Sequence, residues 1–321
     1  MELSLSIVKI RISLALIYMG MLSIIVSSPV FAAEIFSDSF ESADMSTTSS
    51  DGFKWNTNNN TSVVIHNSSD GPVAVYNNKS IYNVHPLSMP DGSIRDWHAK
   101  NGTHSLRFRY AAGRKWAEQR FDLGSGYPEI WLSYWIRVPI NYKRDSGRNN
   151  KWFDIQMAPM SQYQDTTVSR IEMQDWPDAS GGFNINIQFR NGSDGKYRNS
   201  NSYKRFITPT DAGKWMHIVY HLKASTTTLS TDGIIRMYRR WDGESEYILI
   251  NDLSNLNVGI GAGSVAAGRP GWAAGYLMGW ANTPYATDTE WLLDDFSISD
   301  SSPLAGLLGT LPNPPTNLNI Q

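Results

Sequence analysis

The run FNINIQFR, Phe183–Arg190, alternates without exception: Phe183, Ile185, Ile187 and Phe189 are apolar, and Asn184, Asn186, Gln188 and Arg190 are polar. A period of two is the period of a β-strand, so the run predicts a strand with one wholly apolar and one wholly polar face. The polar face carries amides and a guanidinium, planar groups that hydrogen-bond directionally, rather than the Lys, Glu and Ser that commonly meet solvent. Two upstream runs repeat the pattern. Asp154 and Gln156 alternate with Phe153, Ile155 and Met157; Arg170, Glu172 and Gln174 alternate with Ile171 and Met173. Three such strands side by side would tile one sheet surface, and that composition suits a sugar-binding groove. Register decides whether they do, because a one-residue slip turns every side chain to the other face.

The N-terminus is read separately. Lys9 and Arg11 precede an apolar run from Ile12 to Val26, and SSPVFAAE follows, so residues 1–32 are expected to be a secretory signal peptide. The remaining chain, about 290 residues, is enough for one large β domain or two small ones. It has no cysteine, so an exported protein of this kind must rely on its core or on bound metal. The expectation is a secreted or periplasmic protein of bacterial source. A net charge of -2 provides no global field for nucleic acid or a membrane surface, and neither is expected as a partner. Charge is nevertheless uneven. Arg137, Lys143, Arg144, Arg148 and Lys151 cluster before the first polar-faced strand, and Arg190, Lys196, Arg198, Lys204 and Arg205 after the third. Both runs flank the same surface, which points to an anionic ligand.

Helical periodicity is scarce. Strand-like runs bounded by Gly, Asn, Asp, Ser and Pro fall at Glu34–Phe40, Ser62–His66, Ser105–Tyr110, Lys115–Asp122, Glu129–Pro139, Lys151–Met157, Thr167–Gln174, Phe183–Arg190, Lys214–Ala224, Gly233–Trp241, Tyr247–Leu253, Ala273–Trp280 and Thr289–Ser299. The pattern predicts an all-β fold, an antiparallel β-sandwich of jelly-roll type, as a single domain over residues 34–300. Residues 301–321, rich in Pro, Gly, Leu and Asn, read as a flexible tail. The domain is expected to be a monomer.

Several segments together resemble the concanavalin A-like lectin/glucanase superfamily, and within it the secreted polysaccharide lyases of the heparin-lyase and glucuronan-lyase kind. They are FSDSFES at Phe36–Ser42, HSLRFRY at His104–Tyr110, IWLSYWIRVP at Ile130–Pro139, GKWMHIVYHLKAS at Gly213–Ser225 followed by DGIIRMYRRWDGE at Asp232–Glu244, and WLLDDFSIS at Trp291–Ser299. The resemblance implies a concanavalin A-like sandwich that acts on polysaccharide. The chain has no E-x-D-x-x-E run of the family-16 glucanases and no close copy of the alginate-lyase R-S-E-L-R and Q-I-H motifs; SRIEMQ and NINIQF stand in comparable places.

Three chemistries are open to these residues. β-Elimination on a uronate needs its carboxylate neutralised, the adjacent acidic proton removed and the leaving oxygen protonated. Arg170, Gln174, Asn186, Gln188 and Arg190 suit the first task. Tyr197, Tyr203, His217 and His221 are candidates for proton transfer. The catalytic set is taken as Arg170, Gln188, Tyr197, Tyr203 and His221, with Asp154, Gln156, Glu172, Gln174, Asn184, Asn186 and Arg190 contacting substrate. Hydrolysis would instead use two carboxyls across the scissile bond, and Asp154 and Glu172 are the only acids on the polar faces. Binding without catalysis would use aromatic rings, for which Trp97, Trp116, Trp176, Trp272 and Trp280 are candidates.

A structural calcium ion is also expected. Asp38 and Glu41 lie near the end of the first strand and Asp294 and Asp295 in the last, and clustered carboxylates suit calcium. Alternation puts Asp294 on the face of Phe296 and Ile298, leaving Asp295 as the ligand.

Overall fold

A computed structural model describes residues 33–65, 73–76, 80–83, 97–142, 150–178, 182–201 and 204–304. The expected signal peptide, Lys143, Arg144, Arg148, Tyr203 and residues 305–321 of the expected tail lie outside the described residues. The strands in chain order are β1 (Glu34–Asp38), β2 (Lys54–Asn59), β3 (Thr61–Ile65), β4 (Val73–Tyr76), β5 (Ser80–Asn83), β6 (His104–Tyr110), β7 (Trp116–Tyr127), β8 (Glu129–Arg137), β9 (Asn150–Gln156), β10 (Arg170–Pro177), β11 (Phe183–Arg190), β12 (Tyr197–Asn201), β13 (Trp215–Lys223), β14 (Gly233–Trp241), β15 (Ile248–Leu256), β16 (Trp272–Trp280) and β17 (Thr289–Ser299).

They form two antiparallel sheets. One follows the order β15-β14-β13-β8-β17-β6-β3-β4-β5, with β1 also on β17; the other follows β12-β11-β10-β9-β16-β7-β2. The inner faces share one core. Phe153, Ile155, Ile171, Met173, Ile185 and Ile187 of the second sheet pack in one cluster with Leu132, Ile136, Met216, Ile218 and Tyr220 of the first. The rings of Phe153 and Tyr220 stack across the gap with centroids 4.5 Å apart. Each such side chain, fully buried, contributes roughly 1.5–3 kcal/mol. A one-residue slip of β11 would expose Phe183, Ile185 and Ile187 together, so the core holds the register.

Among the register shifts of the two sheets, those in β9 and β17 change the faces of Lys151 and Asp294. In β9, Phe153 pairs with Met173 and Lys151 with Gln174, which leaves Trp152 as the extra residue. Trp152 turns inward against Phe206 and Trp291. The phase of the strand changes there, and Lys151 emerges on the polar face. In β17, Asp294 pairs with Trp135 and Ser297 with Ser133, with Asp295 at φ 48°. Leu293 and Phe296 both enter the core. Asp294 therefore does not share the face of Phe296 and Ile298 as alternation predicts. It points away from the core, where its carboxylate accepts hydrogen bonds from the backbone N–H groups of Lys100 (2.7 Å) and Asn101 (3.2 Å).

Candidate functional site

Strands β9, β10 and β11 are hydrogen-bonded neighbours, and their registers place the polar residues in rows that cross the sheet. One row runs Tyr276, Asp154, Glu172, Gln188, Asn199; the next runs Ala274, Gln156, Arg170, Arg190, Tyr197; a third joins Lys151, Gln174 and Asn186. Beyond them Trp176 stands opposite Asn184.

Arg170 is the hub. Its Nε donates to Asp154 Oδ2 at 2.7 Å, Nη2 lies 2.5 Å from Glu172 Oε2, and Nη1 donates to the Tyr197 hydroxyl at 3.0 Å. Lys151 Nζ completes the neutralisation of Glu172 at 2.8 Å. Asp154 is wholly buried and Arg170 nearly so. Buried charges of this kind persist only when paired. Burial lifts the Asp154 carboxyl to about 6 against the pull of Arg170, with the Glu172 charge adding to the rise. Burial draws Arg170 down, but the Asp154 charge outweighs it and holds the guanidinium above its ordinary range. Glu172 and Gln174 also share a hydrogen bond, and Gln174 Nε2 donates to Gln188 Oε1 at 3.2 Å.

The loop between β9 and β10 covers this hub. A 3-10 turn at Met160–Gln162 ends at Tyr163. Met160 and Tyr163 pack with Ala274 and Tyr276 of β16. The Tyr163 ring lies over the Arg170 guanidinium, and its hydroxyl accepts hydrogen bonds from Arg170 and from Lys151 Nζ (2.9 Å), with the Tyr276 hydroxyl 3.1 Å away. Burial and the Asp154 charge raise the Tyr163 phenol above 10, while Arg170 and Lys151 pull it back. Burial lowers Lys151, but the charges of Glu172 and Tyr163 outweigh it and keep the ammonium protonated.

Gln156 and Arg190 differ from the expectation that they contact substrate. Gln156 is fully buried, and its Nε2 donates to the carbonyls of Ala158 (3.0 Å) and Pro159 (2.6 Å). Arg190 faces Arg170 across the ladder, yet the two like charges part: Arg190 turns to the carbonyls of Val168 (3.1 Å) and Asp165 (2.5 Å). Both side chains pin the ends of the loop that carries Tyr163. Gln188 and Asn184 are half-buried on the polar face, and Tyr197 keeps 45% of its surface exposed.

His221 lies outside this cluster. It sits on β13 in the other sheet, on the face turned away from the core, where its ring stacks on Trp131 at 3.9 Å and its Nε2 meets Glu129 at 2.7 Å. His217 shares that face and contacts the Tyr247 hydroxyl. Tyr203 cannot be placed, being outside the described residues. Lys151, Tyr163 and Tyr276 are the cluster members absent from the expected site. The bulge at Trp152 hid Lys151, a loop without periodicity hid Tyr163, and Tyr276 sits in an otherwise apolar run, WAAGYLMGW.

Asp154 and Glu172 are not arranged as a hydrolytic pair. Nη2 of Arg170 is 2.6 Å from one and 2.5 Å from the other, so a guanidinium fills the place of a glycosidic bond. Asp38, Glu41 and Asp295 do line a common cavity. Asp38 already accepts from Phe40 N and Trp55 Nε1, and Glu41 from Thr103 and His104. Among the described residues no three His, Cys, Asp or Glu side chains converge as metal ligands. No chemistry below depends on an ion there.

No family model matches the chain, and no curated protein matches it. Similar solved structures include an alginate lyase from Aplysia kurodai (13% identity, 63% of this chain and 85% of that one, TM-score 0.47). An endo-β-1,4-glucuronan lyase from the fungus Trichoderma reesei has 10% identity over 84% of this chain and 96% of its own, with a TM-score of 0.46. An alginate lyase from a Chlorella virus has 11% identity over 65% and 88%, with a TM-score of 0.44. No residue role transfers at this level of likeness.

Proposed function

We propose that the chain is a polysaccharide lyase that cleaves a uronate-containing polymer by β-elimination on the polar face of the seven-stranded sheet. The observation that carries this reading is the Tyr163 hydroxyl held between Lys151 Nζ and the Arg170 guanidinium. Elimination requires cations where the sugar carboxylate takes up charge, and a group that moves a proton between the sugar carbon and the leaving oxygen. Lys151 and Arg170 supply the first and the Tyr163 phenol the second. Taking the proton beside the carboxylate needs the phenolate form, which burial and Asp154 oppose and the Arg170 and Lys151 charges favour; the carbon–oxygen bond then breaks, and the same proton passes to the leaving oxygen. Gln174, Gln188, Asn184 and Asn186 offer amides to the sugar hydroxyls beside it.

The same reading places the protein outside the cytoplasm, where polymers of this size are met, and the leader-like pattern of residues 1–32 supports it. No helix of the described residues is long and apolar enough to cross a membrane.

The full chain is incubated with polymannuronate, polyguluronate and polyglucuronate, and absorbance of the unsaturated product is followed. Product with at least one polymer, lost in Tyr163→Phe, supports the reading. New reducing ends without that absorbance would establish hydrolysis instead. Retention on polymer with neither signal would leave a binding domain.

A further inference from the structure

A second cavity opens on the same face, at the end of the β7–β16 pair. Asn60, Gly113, Arg114, Lys115, Trp116 and Trp280 line it. Trp116 and Trp280 stand opposite each other in register and keep 38% and 44% of their surfaces exposed. Large rings paired and left open to solvent in this way form a ready platform for a ligand with an apolar face. Lys115 Nζ lies 5.7 Å from the Trp280 ring centroid. The charged lining residues are Arg114 and Lys115, with no acid among the described ones.

The backbone around the cavity is held in uncommon conformations. Asn60 has φ 56°, and its side-chain amide donates to the carbonyl of Trp116 at 2.7 Å. Met278 has φ 58° just before Trp280. Positive φ is uncommon outside glycine; Asn60 takes it at the turn between β2 and β3, where Asn tolerates it, and Met278 takes it within β16. Gly279, at φ 144°, joins the cavity to the cluster. A Cβ there would fall 2.9 Å from the Tyr276 ring and 3.1 Å from Lys151 Cβ. Only a bare backbone lets β16 pass this close to Lys151 and Tyr276 and then place Trp280 in the cavity.

We propose that this cavity is a distal subsite for one uronate residue of a bound polymer, next to the Lys151–Tyr163–Arg170 cluster. Trp280 and Trp116 hold the flat apolar side of the sugar ring, and Lys115 and Arg114 hold its carboxylate. The subsite rests on the reading of that cluster as the cleavage site, but its ligand chemistry stands on the cavity itself.

Native gels cast with polymannuronate, polyguluronate, polyglucuronate or a neutral β-glucan test it, with the full chain, Trp280→Ala, Trp116→Ala and the double variant Arg114→Met/Lys115→Met, each checked for fold by circular dichroism. The expected result is retention of wild type by a polyuronate, weakened about tenfold in affinity by each tryptophan change and by the double variant. The KM for polymer should rise by a similar factor in Trp280→Ala while kcat stays near wild type. No wild-type retention by any polyuronate overturns the subsite, as does unchanged retention in Trp280→Ala. Equal loss in Trp280→Ala on neutral glucan and polyuronate, with no effect of the double variant, overturns the anionic assignment. Retention lost in Trp280→Ala and in Arg114→Met/Lys115→Met, without unsaturated product, would sustain the subsite and sink the lyase reading. Unsaturated product with KM unchanged in Trp280→Ala would do the reverse.

Discussion

Tyr163 lies across Arg170, ring centroid to guanidinium carbon 3.8 Å, while its hydroxyl bonds the same side chain. One aromatic residue thus contributes a stacking contact through its face and, in the proposed reaction, an acid–base group through its edge. The change Tyr163→Phe separates the two. The stack survives, so thermal stability should stay within about 1 kcal/mol of wild type. Turnover of the responsive polyuronate should fall about a hundredfold or more, the usual worth of a positioned proton-transfer group. Initial rates of product absorbance, beside a melting curve, check both halves.

Arg170 holds two buried carboxylates at once. Replacing it with Met leaves Asp154 and Glu172 with Lys151 as their remaining charged partner. The cost should be about 3–5 kcal/mol, the usual penalty for breaking a buried ion pair. Urea denaturation of the purified variant measures it. A loss below about 1 kcal/mol would mean that the carboxylates are not held as described.

Arg190 is expected to act on rate through the loop it pins. In Arg190→Met the carbonyls of Val168 and Asp165 lose their donor, and amide exchange in residues 157–169 should speed up while exchange in β10 and β11 stays slow. Stability should fall by about 1–3 kcal/mol. The value of kcat should fall more than KM rises, because Tyr163 is mispositioned while the amide row is intact. Equal exchange in variant and wild type would remove the pinning role.

His217 makes acid sensitivity a property of the opposite sheet. Burial, with the Arg240 charge beside it, depresses its pKa from 6.5 to about 4. The neutral ring is the form the fold favours. Its contribution is whole above pH 6.5 and is lost as pH falls through about 4. Between these limits wild type should lose on the order of 1–3 kcal/mol more than His217→Gln. Melting temperatures of the two proteins from pH 7 to pH 4 should therefore converge toward acid; parallel curves would contradict this.

The strands of the site were legible because core burial and side-chain alternation agree there: Phe183–Arg190 forms β11 with the bounds its pattern predicts, and β10 lies beside it with β9 beyond. The strands the sequence hid are β2, β4, β5 and β12. Of these, β2, β5 and β12 are edge strands, and apart from Trp55 and Tyr197 the residues of KWNTNN and YRNSN are Lys, Arg, Asn, Ser and Thr. An edge strand gains less from burial and is often kept polar against further pairing, so alternation fades. Within the site the same limit applies residue by residue. Lys151 reaches the polar face only because Trp152 bulges, and a bulge leaves no mark in a periodicity. Arg190 was legible as polar-faced, but its bond to Val168 depends on where a loop folds, which no strand pattern encodes.

Strands β9, β10 and β11 occupy successive places in the sheet in the order in which they occur in the chain. Joining them closes only the short connections between neighbouring strands, whereas joining β8 to β17 closes a loop of most of the domain. Loop-closure entropy grows with that separation. Arg170, its carboxylates, the amides beside it and Tyr163 all lie between Asn150 and Arg190, so apart from Tyr276 of β16 the cluster is built from contacts local in the chain. In a chain emerging from the ribosome, that hairpin pair is complete long before β17 arrives to seal the sandwich behind it.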